Sequence, residues 1–384
     1  MRFSVDAHAI GRHLTGNEVY VRNLLGGFAS LDSESEFITY VSVDDPSPWV
    51  PARFAMRRVS ANPFVRLGLD LSSRLREDRP DLLHVQYTAP LACPVPVVVS
   101  VHDVSFLEHP QFFPRFRALQ LRWSVHRTVR AAAKILTLSD FSSAAIQRAY
   151  HVAPEDIVVA PLAAAQEFRP LHIDNAVDAV RNRFKLPTPF ILSVGDLQPR
   201  KNQIGLIRAF AELVKNFPQL RHRLALAGKE TWFAPKVREA ARTSGVADRI
   251  RFLGFVTDQD LVHLYNACDL FMFPSFYEGF GLPVIEAMAC GRAVACSNTS
   301  AMPEVADGAA ILFNPHSTSE ITRAMADLLR DAELRSRMER LGQQRAAHFS
   351  WQDSARKTLE VYYAVAERNR SGHRQALHAP VSSR

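Results

Sequence analysis

Residues 273–291 read FPSFYEGFGLPVIEAMACG. Glu278 and Glu286 stand eight positions apart in this stretch, with two glycines and Pro283 between them. One continuous helix would be weakened by those glycines and broken by the proline. The stretch therefore predicts a strand, a glycine-rich turn and then a helix that opens at Pro283, since proline is favoured in a first helical turn.

The predicted turn and helix start favour an anionic ligand. The turn at Gly279 and Gly281 lets bare backbone N–H groups approach a ligand, and a helix N-terminus favours negative charge. Glu278 on the loop and Glu286 in the first turns of the helix can then face one pocket. Carboxylate acceptors for sugar hydroxyls beside donors for phosphate indicate a nucleotide-sugar site.

The whole string resembles the Glu-x7-Glu signature of retaining glycosyltransferases with the two-domain GT-B fold, because an aromatic residue, Gly-x-Gly-x-Pro and Ala-x-Ala-x-Gly stand in register. That family includes sucrose synthases and bacterial mannosyltransferases. The resemblance implies an α/β protein with two Rossmann-like domains, whose parallel sheets face each other across a cleft. It further implies a donor bound chiefly by the second domain, retention of anomeric configuration, and no cofactor or metal. An ordinary strand–turn–helix with solvated glutamates is the alternative.

Composition fits this class of enzyme. A chain of 384 residues suits two domains, and 47% hydrophobic with 22% charged residues is normal for a soluble globular protein. The four cysteines form no Cys-x-x-Cys motif, which is typical of reduced, buried thiols. The N-terminus lacks the apolar core of a signal peptide, and no apolar stretch reaches the ~20 residues of a spanning helix. We expect a cytoplasmic protein, with peripheral attachment to the inner face of the membrane as an open alternative.

The net charge of +7 implies acidic partners, and part of it is concentrated in one segment. Residues 109–139 contain no acid, six basic residues and several interleaved aromatic and aliphatic ones. Such a basic amphipathic helix, within residues 111–134, favours peripheral contact with an anionic membrane or reception of an anionic acceptor. A packed helix with a solvated arginine face is the alternative. No nucleic-acid recognition motif accompanies the charge, so no nucleic-acid partner is expected.

Short apolar runs alternate with helical patterns along the chain, which is typical of parallel α/β architecture. The predicted strands are residues 2–6, 37–43, 82–85, 95–101, 134–138, 156–160, 190–195, 223–227, 249–253, 270–273, 293–297 and 310–313. The predicted organisation begins with an N-terminal Rossmann-like acceptor domain at residues 1–165 and a linker at 166–188 that contains a short helix. A C-terminal Rossmann-like nucleotide-sugar domain follows at 189–349. A final helix at 350–368 packs back on the first domain, and residues 369–384 form a disordered tail.

Arg200 and Lys201 are predicted to hold the diphosphate of the donor. They follow a predicted strand and precede a helical pattern, and ligands of open α/β sheets bind outside the carboxyl ends of strands. Cations at that place would stabilise a leaving diphosphate as its charge develops. An Arg–Lys pair plays this role in the resembling family. A basic loop at a helix start is the alternative.

His102 is the candidate catalytic residue of the first domain. The string from Ser100 to Phe113 is similar to one found in bacterial mannosyltransferases of the family. This resemblance implies that His102 contacts the transferred sugar near its anomeric centre, and that Asp103 either orients the imidazole or caps the following turn. A structural, hydrogen-bonding histidine is the alternative.

The resemblance also implies the rest of the substrate site. Glu286 holds the ribose hydroxyls, while Phe255 and Val256 lie near the base. Gly16, in a loop between the first strand and helix, lets the backbone approach the diphosphate or acceptor, although the commoner form of this loop carries a second glycine. The sugar hydroxyls are bound by Glu278 and by the turn that follows it, which comprises Gly279, Phe280, Gly281 and Leu282.

Asp258-Gln-Asp260 matches the Asp-x-Asp pattern that holds a divalent cation in many glycosyltransferases. The motif directly precedes a helical pattern, however, so Asp258 is predicted to be the N-cap and Asp260 a first-turn charge. No metal site is expected.

The combined interpretation is a retaining transferase that moves mannose from GDP-mannose to a glycan or lipid-linked acceptor in cell-surface polysaccharide synthesis. The open alternatives are a UDP-sugar-dependent transferase of the same fold, a nucleotide-sugar 2-epimerase and a non-catalytic nucleotide-sugar-binding scaffold. Paired glutamates also occur in glycoside hydrolases, but those enzymes need no Arg–Lys phosphate cradle.

Overall fold

The computed structural model describes residues 1–12 and 15–377. The chain forms two compact units, one of Met1–Leu162 with Trp351–Arg384 and one of Ala163–Ser350. The polypeptide therefore passes from the first unit to the second after Leu162 and returns after Ser350.

The strands, in chain order, are β1 Arg2–Asp6, β2 Glu36–Val41, β3 Ala55–Arg58, β4 Leu82–Gln86, β5 Val97–Ser100, β6 Lys134–Thr137, β7 Ile157–Val159, β8 Phe190–Val194, β9 Arg223–Ala227, β10 Ile250–Gly254, β11 Leu270–Phe273, β12 Val294–Ser297 and β13 Ile311–Phe313. The α-helices are α1 Thr15–Leu31, α2 Pro63–Val65, α3 Leu71–Asp78, α4 Ser105–Glu108, α5 Arg115–Ala131, α6 Asp140–Tyr150, α7 Ile173–Phe184, α8 Gln203–Asn216, α9 Ala234–Arg242, α10 Asp258–Ala267, α11 Leu282–Ala289, α12 Met302–Ala306, α13 Thr318–Arg330, α14 Ala332–Ala346 and α15 Trp351–Leu377.

Each unit is built on one parallel sheet. The sheet of the first unit has the strand order β3-β2-β1-β4-β5-β6-β7, and that of the second has the order β10-β9-β8-β11-β12-β13. All residues of the central strands β5 and β11 are buried, which is why their sequences are nearly continuous apolar runs. The strand order reverses between β1 and β4 and between β8 and β11, and ligands of open α/β sheets bind at such points.

The last helix completes the core of the first unit. Helix α15 packs along α1, and the ring centroids of Tyr362 and Tyr363 lie 5.2 and 5.3 Å from that of Phe3 in β1. Tyr362 is fully buried. The helix ends at Leu377 rather than at the predicted residue 368.

Three details differ from the sequence analysis. Strand β3 was not predicted, because it is an exposed edge strand with the sequence AMRR and carries no apolar run. Residues 369–377 of the predicted disordered tail are helical, and residues 378–384 lie outside the described residues. The predicted linker 166–188 lies within the second unit and contains α7.

Among the helices that the structure describes, none combines the length and the apolar character of a membrane-spanning segment.

Candidate active site

The signature stretch folds as a strand, a turn and a helix. Strand β11 ends at Phe273, and α11 begins at Leu282 with Pro283 in its first turn, as the sequence predicts. Gly281 caps the helix with φ +94°, and a Cβ placed there would lie 2.3 Å from Cε of Met302. The turn therefore requires glycine, and this brings the backbone of residues 279–281 to the N-terminus of α11.

Glu278 forms a buried ionic cluster with Arg200 and Lys201. Oε2 of Glu278 accepts from Nη1 of Arg200 at 3.0 Å, and Oε1 accepts from Nζ of Lys201 at 2.7 Å. The three side chains are 8%, 18% and 12% exposed, respectively. Arg200 and Lys201 follow β8, and Glu278 follows β11, so the cluster lies where the strand order of the second sheet reverses.

The charges of the cluster stabilise one another against the effect of burial. Burial alone would raise the pKa of Glu278, but Arg200 and Lys201 hold that pKa below its usual value. Burial lowers the pKa of Lys201, and the charge of Glu278 opposes this effect. Two cations against one carboxylate leave a net positive charge, which favours an anion such as a diphosphate.

Asn202 holds this loop in place. It adopts a left-handed conformation with φ +54°, caps α8 by accepting from the N–H of Gly205, and donates to the carbonyl oxygens of Pro274 and Pro315 at 3.1 and 2.8 Å. Asparagine tolerates this conformation better than most residues. Asn202 was not among the predicted site residues, although an asparagine directly before a helix is a recognisable cap signal.

The carboxyl ends of β8 and β9 approach each other very closely. A Cβ at Gly228 would lie 2.1 Å from the carbonyl oxygen of Gly195, and the N–H of Gly195 donates to the carbonyl of Ala227 at 2.8 Å. The loop after β9 is tied to the loop after β8, because the N–H of Lys229 donates to Oδ1 of Asp196 at 3.1 Å. This close backbone contact fixes the segment that leads to Arg200.

Glu286 projects from α11 and is buried. Its Oε2 accepts from the hydroxyl of Tyr265 in α10 at 2.9 Å. Burial, the charge of Glu286 and the hydrogen bond to it raise the pKa of Tyr265 well above its usual value, so the hydroxyl stays a donor. Tyr265 was missed by the sequence analysis, because nothing in a helical apolar pattern shows which side chain reaches a distant carboxylate.

The segment after β10 was predicted to lie near the base. Phe255 is 46% exposed with Nζ of Lys229 at 5.5 Å from its ring centroid, whereas Val256 is buried. The predicted cap of α10 is off by one residue. Thr257 is the N-cap and accepts from the N–H of Asp260, while Asp258 and Asp260 both lie in the first turn. The correction arises because Thr257 already has the extended backbone conformation that an N-cap needs.

His102 lies in the first unit, just after β5. It is 8% exposed, its ring centroid lies 4.6 Å from that of Tyr20, and burial lowers its pKa to about 4 against a partial opposing effect of Asp103. The imidazole is therefore neutral at pH 7. Asp103 caps the next turn, because its Oδ1 accepts from the N–H and the hydroxyl of Ser105 at 2.9 and 2.6 Å.

A buried polar chain runs from the last helix toward His102. The hydroxyl of Tyr362 lies 2.5 Å from Nδ1 of His84, and Nε2 of His84 lies 2.7 Å from the hydroxyl of Ser100. Ser100 in turn contacts the hydroxyl of Tyr20 at 2.7 Å, and the ring of Tyr20 packs on His102. The sequence analysis did not single out His84, because a histidine inside a strand carries no separate pattern.

Gly16 does not lie in a loop. It is an exposed residue in the first turn of α1, which begins at Thr15. Oε1 of Glu18 accepts from the N–H of Gly11 at 2.9 Å and so ties the preceding loop to that turn. The helix therefore includes residues that were predicted to form a loop.

Two family descriptions match the chain. Residues 14–164 match "Glycosyltransferase Family 4", and residues 176–345 match "Glycosyl transferases group 1". The chain is 32% identical over 265 residues to the O-antigen chain mannosyltransferase B of Escherichia coli, with 69% of each chain covered. It is 37% identical over 188 residues to the serotype-specific mannosyltransferase WbdA of the same species, but this match covers 48% of the chain and only 23% of that protein.

Solved structures share the architecture at low sequence identity. Sucrose-phosphate synthase from Thermosynechococcus elongatus superimposes with a TM-score of 0.76 at 18% identity, covering 95% of this chain and 99% of that one. HepE from Anabaena, in complex with UDP and glucose, gives a TM-score of 0.76 at 19% identity, covering 94% and 99%. At such identities the likeness shows the fold alone, and this fold is GT-B. Together with the sequence relatives, these observations establish that the chain belongs to the retaining group 1 glycosyltransferases.

Proposed function

We propose that the chain transfers mannose from GDP-mannose to a glycan or lipid-linked acceptor in cell-surface polysaccharide synthesis. The observation that carries the proposal is the buried cluster of Glu278 with Arg200 and Lys201 at the point where the second sheet reverses its strand order. The choice of mannose is supported by the two Escherichia coli relatives, whose names describe mannosyltransferases.

Within this proposal the two cations bind the diphosphate. Arg200 and Lys201 are fixed before the donor arrives, so they need little reorganisation when charge develops on the leaving group. Nη1 of Arg200 also donates to the carbonyl of Tyr277 at 3.1 Å, which holds the guanidinium in place. Glu278 and the turn after it bind the sugar hydroxyls, and Glu286, oriented by Tyr265, binds the ribose.

His102 is proposed to contact the sugar near its anomeric carbon. Transfer proceeds through a transition state in which positive charge develops on the sugar ring, as in other glycosyl chemistry. Because burial lowers the pKa of His102 to about 4, the imidazole is neutral at physiological pH and does not repel that charge. A neutral ring also retains one acceptor nitrogen for a hydroxyl.

The proposed location is the cytoplasm. The cysteines Cys93, Cys268, Cys290 and Cys296 are all free thiols, and free thiols persist in reducing compartments.

The first experiment is calorimetric titration with GDP, UDP, ADP and dTDP on wild type, Glu286→Gln and a control, Glu239→Gln. Glu239 is an exposed carboxylate on α9 that pairs with Arg242. We expect GDP to bind most tightly, with affinity reduced at least about tenfold by Glu286→Gln and unchanged by the control, since an ionised acceptor would be lost.

The outcomes separate the alternatives. Preference for UDP would redirect the donor search to a UDP-sugar, such as the UDP-glucose with which HepE from Anabaena forms a complex. GDP preference followed by transfer of labelled mannose to membrane lipid or glycan extract would complete the assignment. Conversion of a free nucleotide-sugar without an acceptor would reveal a 2-epimerase. Nucleotide binding without transfer or conversion would leave the scaffold interpretation, and absence of nucleotide binding would overturn the proposal.

A further inference from the structure

Helix α5 exposes an apolar stripe. Phe116, Leu119 and Trp123 are 73%, 65% and 62% exposed, and their spacing of three and four residues places them on one face of the helix. The opposite face supplies the core of the first unit through buried residues such as Val125 and Val129. The fold therefore leaves three large apolar side chains in solvent on a helix that already has a buried side.

Two neighbouring segments extend this stripe into a patch. Arg127 donates to the carbonyl of Pro90 at 2.9 Å while its guanidinium lies 5.7 Å from the ring centroid of Trp123, so the loop around residue 90 lies against α5. The N–H of Leu91 donates to the carbonyl of Leu67 at 2.9 Å, which places residues 63–70 beside that loop. We define the docking patch as the exposed apolar residues of these three segments, which are Phe64, Val65, Leu69, Leu91, Phe116, Leu119 and Trp123.

The charge beside the patch has one dominant sign. Residues 109–139 and residues 87–96 contain no acid, and the exposed residues of α5 include Arg115, Arg117, Arg122 and Arg130. The acid next to the patch in sequence, Asp70, lies 3.9 Å from Arg74 and accepts from the N–H of Ser60. The surface thus combines apolar anchors with a surplus of arginine.

We propose that the docking patch binds the surface of an anionic lipid membrane, with the apolar side chains in the interface and the arginines against the headgroups. Both components strengthen peripheral binding, since the free energy from burying apolar area and the free energy from attraction to anionic lipid sum. A second copy of the chain fits less well, because a twofold contact through this surface would bring arginines against arginines. The proposal goes beyond the donor chemistry, and no residue of the patch belongs to the donor site.

The test is flotation of the full chain with vesicles of phosphatidylcholine alone and of phosphatidylcholine with about one third phosphatidylglycerol. Wild type should float with the anionic vesicles and not with the neutral ones. The triple change Phe116→Ser, Leu119→Ser and Trp123→Ser should lower the bound fraction at least about tenfold. The double change Arg115→Gln and Arg122→Gln should weaken binding in about 0.1 M salt and matter little in about 0.5 M salt.

A matched control changes exposed apolar residues away from the patch. Ile173 and Trp232 in the second unit are 46% and 56% exposed, and their change to serine should leave flotation unaltered. Thermal melts check that each variant folds, and GDP titration of the triple variant should equal wild type, so a wrong donor assignment cannot be mistaken for a failed surface. Equal flotation of wild type and triple variant would overturn the proposal. So would a wild-type dimer that the triple variant abolishes without any vesicle binding, because the patch would then be a protein interface.

Discussion

The hydroxyl of Tyr265 donates to Oε2 of Glu286 at 2.9 Å, and both side chains are buried. The contact joins α10 to α11, so the carboxylate proposed to bind ribose is held by a second helix and not by its own helix alone. A carboxylate with a fixed neighbour loses less rotational freedom when a ligand arrives, which favours tighter binding.

Tyr265→Phe should therefore weaken nucleotide binding while it retains the fold. Loss of the hydroxyl removes one donor to a buried carboxylate, and we expect a cost of about 1–2 kcal/mol in the free energy of unfolding and an increase of about tenfold in nucleotide Kd. Calorimetry and urea unfolding measure the two effects. Unchanged nucleotide affinity would show that the contact serves only packing.

Alanine at Gly228 should be far more damaging than alanine at Gly281. At Gly228 the new Cβ would meet the backbone of Gly195 at 2.1 Å, and neither strand end can move without disturbing the sheet. At Gly281 the obstacle is the terminal methyl of Met302, which can rotate, although φ +94° still costs about 1–2 kcal/mol.

Urea unfolding of both variants measures this order of stability. We expect Gly228→Ala to lose at least about 3 kcal/mol, and Gly281→Ala to lose less but bind nucleotide poorly, because its helix N-terminus is displaced. Equal stabilities would mean that the loops after β8 and β9 separate easily.

Lys201→Gln should be rescued in stability, but not in activity, by a second change at Glu278. Removing Lys201 leaves a buried carboxylate with a weakened cationic environment, which we expect to cost about 3 kcal/mol. Adding Glu278→Gln removes the charge and should restore about half of that loss. Transfer activity should stay low in the single and double variants, because a cation at the diphosphate is missing from both. Restored activity in the double variant would contradict the role proposed for Lys201.

Stability should fall in mild acid because of two buried histidines. Burial lowers the pKa of His102 to about 4 and that of His84 to about 3, from 6.5 in an exposed histidine. Below about pH 6.5 these histidines bind protons in the unfolded chain but not in the folded chain. The free energy of unfolding therefore decreases as pH falls from about 6.5 toward 4. Above about pH 6.5 the two histidines are neutral in both states and do not change it. For His102 alone the loss is on the order of 3 kcal/mol.

Urea unfolding at about pH 7.5 and pH 4.5 checks this sign and window. His102→Gln should lose less stability between the two pH values than wild type, because its share of the proton uptake is removed. An identical loss in both proteins would show that folding does not lower the pKa of His102.

The apolar runs predicted twelve of the thirteen strands in the described residues and missed only the exposed edge strand β3. Strands β1, β9 and β11 have the predicted bounds, because buried parallel strands consist largely of consecutive aliphatic and aromatic residues. Strand β3 has no such requirement, since an exposed edge strand is specified by its neighbour's backbone and not by its own side chains.

The sequence predicts the residue types of the candidate site but not the contacts between them. Motif and strand position identified Glu278, Arg200 and Lys201, yet the sequence analysis assigned them separate parts of the donor and did not anticipate that they bind each other. The supporting residues Asn202 and Tyr265 depend on which elements meet in space, and a single sequence contains no signal of that.

The return of the chain after Ser350 has a consequence for biosynthesis. Ribosomes deliver the seven strands of the first unit before the second unit, yet Tyr362, which fills the core of the first unit and meets His84, is made after it. The second unit is by then fully synthesised, since it comprises Ala163–Ser350. The first sheet is thus synthesised before the second unit, but its core is completed only when helix α15, which packs against α1 and β4, has left the ribosome.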